Sequence, residues 1–166
     1  MILKKIFFTF ILTLFLSVNA FSAGSSGGDG GSGKTKTDYD KAVVHIKLAK
    51  KFEKKGKSEK ANKRYEKALK LLLKSNMDKP NNADTLNYLG FTTRKLGDFK
   101  NGEKYYLQGL AINPKHTGIN EYLGELYVAT DRVDLAKERL EVLKDCNCKE
   151  YNELKDVIEG NKTSKY

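Results

Sequence analysis

From Asp38 onward, apolar and polar residues alternate along the chain with the period of a helix and not of a strand. Ala42, Ile46, Ala49 and Phe52 recur at spacings of three and four, and so do Tyr151, Leu154, Val157 and Ile158 near the far end. Between these two stretches the pattern repeats. Shifted by 34 residues, Tyr88-Leu89-Gly90 falls on Tyr122-Leu123-Gly124, Gly102 on Ala136, Tyr106 on Leu140, Phe99 on Val133 and Pro80 on Pro114. The same shift backwards sets Tyr65 under Phe99, Ala68 under Gly102 and Leu72 under Tyr106. A fixed period of this size marks stacked supersecondary units, each burying its apolar face on its neighbours.

These residues resemble the tetratricopeptide repeat, a 34-residue pair of antiparallel helices. The likeness is fullest over residues 83–116, good over 117–144 and partial before that. It implies an all-α fold: a right-handed superhelical stack of about three helix pairs, at about 38–79, 83–113 and 117–144, closed by a C-terminal capping helix at 149–159. Gly90 and Gly124 are expected where the two helices of a pair approach closely, with Ala68, Gly102 and Ala136 matching them on the second helices. Leu89, Leu123, Tyr106, Tyr127 and Leu140 would fill the space between. Pro80 and Pro114 stop second helices, since proline lacks the continuing donor. Asn82 and Thr117 stand where caps of first helices are expected, and Asp98 and Asp131 where caps of second helices are. Thr93 and Gly109 depart from the family's usual aromatic and alanine.

In the first pair the turn Gly56-Lys57-Ser58 comes seven residues earlier than Gly97 would place it, about two helical turns. An elongated second helix from Ser58 to about Asp78 is therefore expected, after a first helix from about Asp38 to Lys55. At the other end, Glu150, Glu153, Lys155 and Asp156 give the capping helix the polar outer face that ends a stacked core in water. Residues 160–166 read as a disordered tail.

The chain of 166 residues is 39% hydrophobic and 31% charged, with two prolines and no tryptophan, enough apolar material for one helical core. Its first twenty residues stand apart. Lys4 and Lys5 precede an apolar run from Ile6 to Leu16, and Val18-Asn19-Ala20 supplies the small residues that signal peptidase accepts. Eleven residues are too few to cross a hydrocarbon core of ~30 Å as a helix. Residues 1–20 are thus read as a signal peptide cleaved after Ala20, and the protein as exported, periplasmic or secreted. Residues 21–37 form a Gly/Ser-rich flexible spacer, whose Gly33-Lys34-Thr35 is only a fragment of a phosphate loop. The whole arrangement resembles small exported bacterial tetratricopeptide proteins, a likeness that brings no assigned reaction.

Chemistry is sparse. His45 and His116 are the only imidazoles, without metal-ligand spacing, and no GxSxG elbow is present, so neither a catalytic residue, a metal site nor a cofactor is expected. Cys146-Asn147-Cys148 is the one redox feature. It admits a local disulfide, two free thiols, or an inter-chain, metal or thiol-redox role.

Charge is uneven. Residues 34–79 hold 16 basic against 6 acidic side chains, a net of +10, whereas residues 80–166 hold 13 against 14. Lys47, Lys50, Lys51, Lys54 and Lys55 crowd the polar side of the first helix. This basic face would attract an anionic membrane surface or cell-wall polymer, or is simply a solvated lysine-rich face. Nucleic acid is disfavoured by export and by the lack of interleaved aromatics. The family likeness also implies a concave peptide groove, with Asn87, Tyr88, Phe91, Arg94, Lys95, Glu121, Tyr122 and Glu125 expected as its exposed residues. The leading expectation is a non-catalytic adaptor or scaffold that binds a peptide segment of an envelope protein there. Tyr88 and Tyr122 could instead pack between repeats.

Overall fold

The computed structural model describes residues 36–163, so the expected signal peptide, most of the spacer and the last three residues lie outside the described residues. Among the described residues seven helices follow one another: α1 (Asp38–Glu53), α2 (Ser58–Asp78), α3 (Ala83–Lys95), α4 (Phe99–Ile112), α5 (Thr117–Ala129), α6 (Val133–Leu143) and α7 (Lys149–Ile158). Among the described residues there is no strand. α1 packs on α2, α3 on α4 and α5 on α6, while α2 with α3 and α4 with α5 join the pairs, and α7 closes the stack against α5 and α6. Two apolar clusters fill the layers, one around Ile46, Tyr65, Leu72 and Leu89, the other around Tyr106, Ile119, Leu123 and Leu126.

The turn inside each pair is built the same way. Lys57 N–H donates to Phe52 O, Asp98 N–H to Thr93 O and Arg132 N–H to Tyr127 O, each reaching back five residues. This closing bond requires a left-handed residue just before it, and Gly56, Gly97 and Asp131 hold that place with φ of 67°, 93° and 58°. Asp131 is therefore the counterpart of Gly97 and not of Asp98. That corrects the expectation that it caps α6, whose N-cap is Arg132 with no side-chain cap bond. Asp98 does cap α4, accepting from Asn101 N–H at 3.0 Å, and Asn82 caps α3, accepting from Thr85 N–H at 2.8 Å.

Thr117 is not the cap of α5. His116 takes that role, its Nδ1 accepting from Ile119 N–H at 3.2 Å while Nε2 faces Asp84 at 3.0 Å. With Nδ1 accepting, the ring proton sits on Nε2 and is donated to the carboxylate. This contact ties the start of α5 to the start of α3.

α2 has the two additional turns that the early Gly56 demands. At the C-terminus, Gly160 has φ 74° and Lys162 N–H returns to Asp156 O at 3.1 Å. The start of the expected disordered tail is thus a folded helix end.

The equivalence of Gly97 and Asp131 has a measurable consequence. A side chain in the left-handed region costs about 1–2 kcal/mol, less for Asp and Asn than for other residues. Gly97→Ala should lower the unfolding free energy by about 1 kcal/mol, and Asp131→Gly should raise it by a few tenths to about 1 kcal/mol. Urea titration of the two variants measures both signs, and a gain on Gly97→Ala would contradict this turn geometry.

Candidate functional site

The odd-numbered helices share the inner face of the stack, with α1 touching α3 and α3 touching α5. Helices of the stack meet closely where the residues between them are small. A Cβ on Gly90 would lie 2.5 Å from the Tyr106 ring, so α3 and α4 meet at hard contact. The same construction at Gly124 meets Leu154 of α7 at 2.6 Å. Gly124 is thus small to admit the capping helix and not its own pair partner, a correction to the repeat-based expectation.

This closeness decides the fate of the expected groove residues. Phe91, Arg94 and Glu125 are fully buried, and Asn87 and Glu121 are nearly so; only Tyr88, Lys95 and Tyr122 are half-buried. Arg94 and Glu125 form an ion pair at 3.1 Å with 0% side-chain exposure on either partner. The guanidinium also donates to Tyr122 O at 2.7 Å, which joins α3 to α5. Phe91 and Tyr122 pack with ring centres 5.1 Å apart. Tyr88 lies against Tyr39 at 5.9 Å, and burial, followed by the fields of Tyr88, Asp84 and Asp40, pushes the Tyr39 hydroxyl up to about 12. Lys95 pairs with Glu53 at 2.6 Å, and Glu53 also accepts from the Tyr65 hydroxyl at 2.9 Å. The eight residues therefore hold helices together more than they offer a surface. Each odd-numbered helix after the first is covered by the one before it, which a 34-residue pattern does not record.

Lys50 is also displaced from its expected role. It leaves the basic face and reaches over the Phe91 ring at 4.3 Å, donating to the Tyr122 hydroxyl at 3.3 Å. Lys47, Lys51, Lys54 and Lys55 remain exposed.

What remains open on the inner face is a cleft of about 320 Å³. Its walls are Lys50 of α1, Asn87 and Tyr88 of α3, His116, Thr117, Gly118, Glu121 and Tyr122 at and in α5, and Lys149, Glu150 and Glu153 of α7. Sequence reasoning missed Lys50, His116, Thr117, Gly118 and the three α7 residues as lining. A terminal helix reads as a cap, and nothing in its amphipathic stripe says that its flank reaches the groove. Asn87 is the notable wall residue. It is nine-tenths buried, a Cβ on Gly118 would sit 2.9 Å from its Nδ2, and its Oδ1 has no hydrogen-bond partner.

Cys146 and Cys148 are joined in a disulfide, with Cα atoms 5.2 Å apart, in the turn leading into α7. Among the described residues no three His, Cys, Asp or Glu side chains gather as a metal cage, and no helix is long and apolar enough to cross a membrane.

No protein-family model matches the sequence, and no curated protein matches it. Solved structures do. One is the first TPR of Spaghetti (RPAP3) bound to HSP90 peptide SRMEEVD, with a TM-score of 0.52 and 24% identity, covering 77% of this chain and 98% of that one. The fold is a tetratricopeptide-repeat fold. In TPR terms α1, α3 and α5 are the first helices of three units, α2, α4 and α6 the second helices, and α7 the cap. The cleft lies on the TPR inner face, and the elongation of α2 falls on the second helix of the first unit.

Proposed function

We propose that this chain is a non-catalytic protein-interaction adaptor of the cell envelope, holding an extended peptide segment of a partner in the inner cleft. The observation that carries this is Asn87. A buried amide oxygen without a donor costs free energy, and native proteins rarely leave one without a reason. Asn87 lines the open cleft, and once its side chain turns toward that space the N–H of an incoming peptide supplies the missing donor, while Tyr88 and Tyr122 offer flat contact area beside it. Lys149, Glu150 and Glu153 provide charge for orientation at the α7 side. The fold supports the same reading, since the similar TPR of RPAP3 is described as bound to a peptide. The imidazole of His116 in the cleft serves the fold, with both nitrogens engaged by Ile119 N–H and Asp84. Envelope placement rests on the leader-like residues 1–20.

Asn87→Ala separates this role from a structural one. Removing an unpartnered buried amide should leave the free protein as stable or slightly more stable. Peptides selected from a random displayed library on the parent protein should bind the variant about five- to tenfold more weakly, the worth of one hydrogen bond of about 1–1.5 kcal/mol. Selected peptides that bind Asn87→Ala with undiminished affinity would remove the cleft from consideration.

A further inference from the structure

The cations of the first helix pair are not spread evenly. Between Lys47 and Lys67 the sequence holds ten basic and three acidic residues. Lys60, Lys63, Arg64 and Lys67 stand at i, i+3, i+4 and i+7 of α2, on one helix face. With Phe52 of α1 they line a second open cleft of about 320 Å³, which shares no wall residue with the inner one. Lys63 is paired with Glu59 at 2.6 Å. Lys60, Arg64 and Lys67 bridge no carboxylate among the described residues.

Arg64 is turned instead toward His45, its Nη1 lying 3.3 Å from Nδ1. A guanidinium only donates, so Nδ1 accepts and the imidazole is neutral. Burial first, then the nearby Arg64 and Lys67 charges, hold the His45 pKa below its usual value. Glu59, and after it Glu66, offset the charge of Lys63, whereas Arg64 and Lys67 meet further positive charge and a ring that declines a proton. Like charges at i, i+4 spacing oppose helix formation, and an anion from outside relieves that repulsion. From Lys60 to Lys67 the helix advances about 10 Å, at about 1.5 Å per residue. That span exceeds a single phosphate and suits a short run of linked ones.

We propose that the cleft between α1 and α2 is a binding site for oligophosphate anions, in which Lys60, Arg64 and Lys67 supply charge and donors and Phe52 forms the α1 wall. The lysines expected from the sequence to form the basic face, Lys47, Lys51, Lys54 and Lys55, are not among its walls. They raise the local potential without shaping a site.

The probe is sodium tripolyphosphate, titrated at low salt into the intact protein and followed by amide and histidine NMR shifts. Shifts should concentrate at His45, Phe52 and residues 60–67. Lys60 and Lys67 are both exposed, so the Lys60→Gln/Lys67→Gln variant keeps its fold and should bind at least tenfold more weakly. Lys51→Gln/Lys54→Gln removes the same charge outside the cleft and should weaken binding less than twofold. Equal weakening by the two pairs would show that net charge alone attracts the anion, and shifts scattered over α3–α7 would say the same; either overturns the site. Phosphatidylglycerol vesicles form the second arm. Vesicle binding that depends on Lys60 and Lys67, with no response to tripolyphosphate, would make the stripe a lipid contact and the oligophosphate assignment wrong.

Discussion

Arg94→Met should lower the unfolding free energy in urea by about 3–5 kcal/mol, the largest loss expected from any single polar substitution in this chain. The Arg94 and Glu125 side chains are wholly out of water. Deleting the guanidinium takes a cation from a fully buried carboxylate and also takes a donor from Tyr122 O. Removing both charges is a different matter, since a buried ion pair regains little more than its desolvation cost and an apolar pair of similar volume often does as well. Arg94→Met with Glu125→Leu should accordingly recover most of the loss. The double-mutant cycle measures the coupling between the two sites. A single Arg94→Met variant within about 1 kcal/mol of the parent would mean that Glu125 finds water or another cation, and that this pair does not hold α3 to α5.

The second large effect runs against helix propensity. Alanine in place of a mid-helix glycine ordinarily stabilises by up to about 1 kcal/mol. Gly90→Ala should instead destabilise by about 2–3 kcal/mol, because the new methyl meets a fully buried aromatic ring at 2.5 Å and overpacking forces the helices apart. Gly124→Ala provides the contrast. There the obstruction is the end of the Leu154 side chain, on the last helix of the stack, and a rotamer change with a small shift of α7 can absorb it. The expected cost is below about 1 kcal/mol, within the range of a minor core adjustment. Thermal or urea unfolding of the two variants compares them directly; equal losses would mean that α7 is held as firmly as the interior helices.

Particular residues show how far the linear pattern reaches. The bounds of α2 follow from Gly56 and Pro80 alone, because a left-handed glycine and a missing donor act on the backbone wherever they occur. Asn82 and Asp98 are legible as caps for the same reason: a short acceptor three residues ahead of a free N–H is a local matter. Asp131 and Thr117 misled because residue type was followed over the frame: a strict shift of 34 sets Asp98 on Arg132 and Asn82 on His116. An aspartate fits both the cap and the left-handed site before it, and a histidine is not an expected cap. The recurrence of the five-residue turn bond separates the two positions in the same way as the strict frame.

The inner face was far less legible. Phe91, Arg94 and Glu125 occupy places where a single helix pair would expose them, and the neighbouring helices of the inner face cover them in the stack. Lys50 shows the same effect from the other side, a lysine counted with the solvent-facing charges that lies instead on an aromatic pair. Lys60, Lys63, Arg64 and Lys67 carry a visible helical spacing, but only Phe52, brought in from α1, turns that stripe into a cleft.

By itself, then, the amino-acid order determined that this chain forms helices, how long they are, where most of them turn and that they stack as a repeat. Those properties depend on backbone conformation and on contacts between residues close in sequence. The tertiary structure alone decided which side chains of the inner helices meet water, because burial there depends on a neighbour some 30–40 residues away pressing against the same face. It also decided which charges pair with one another.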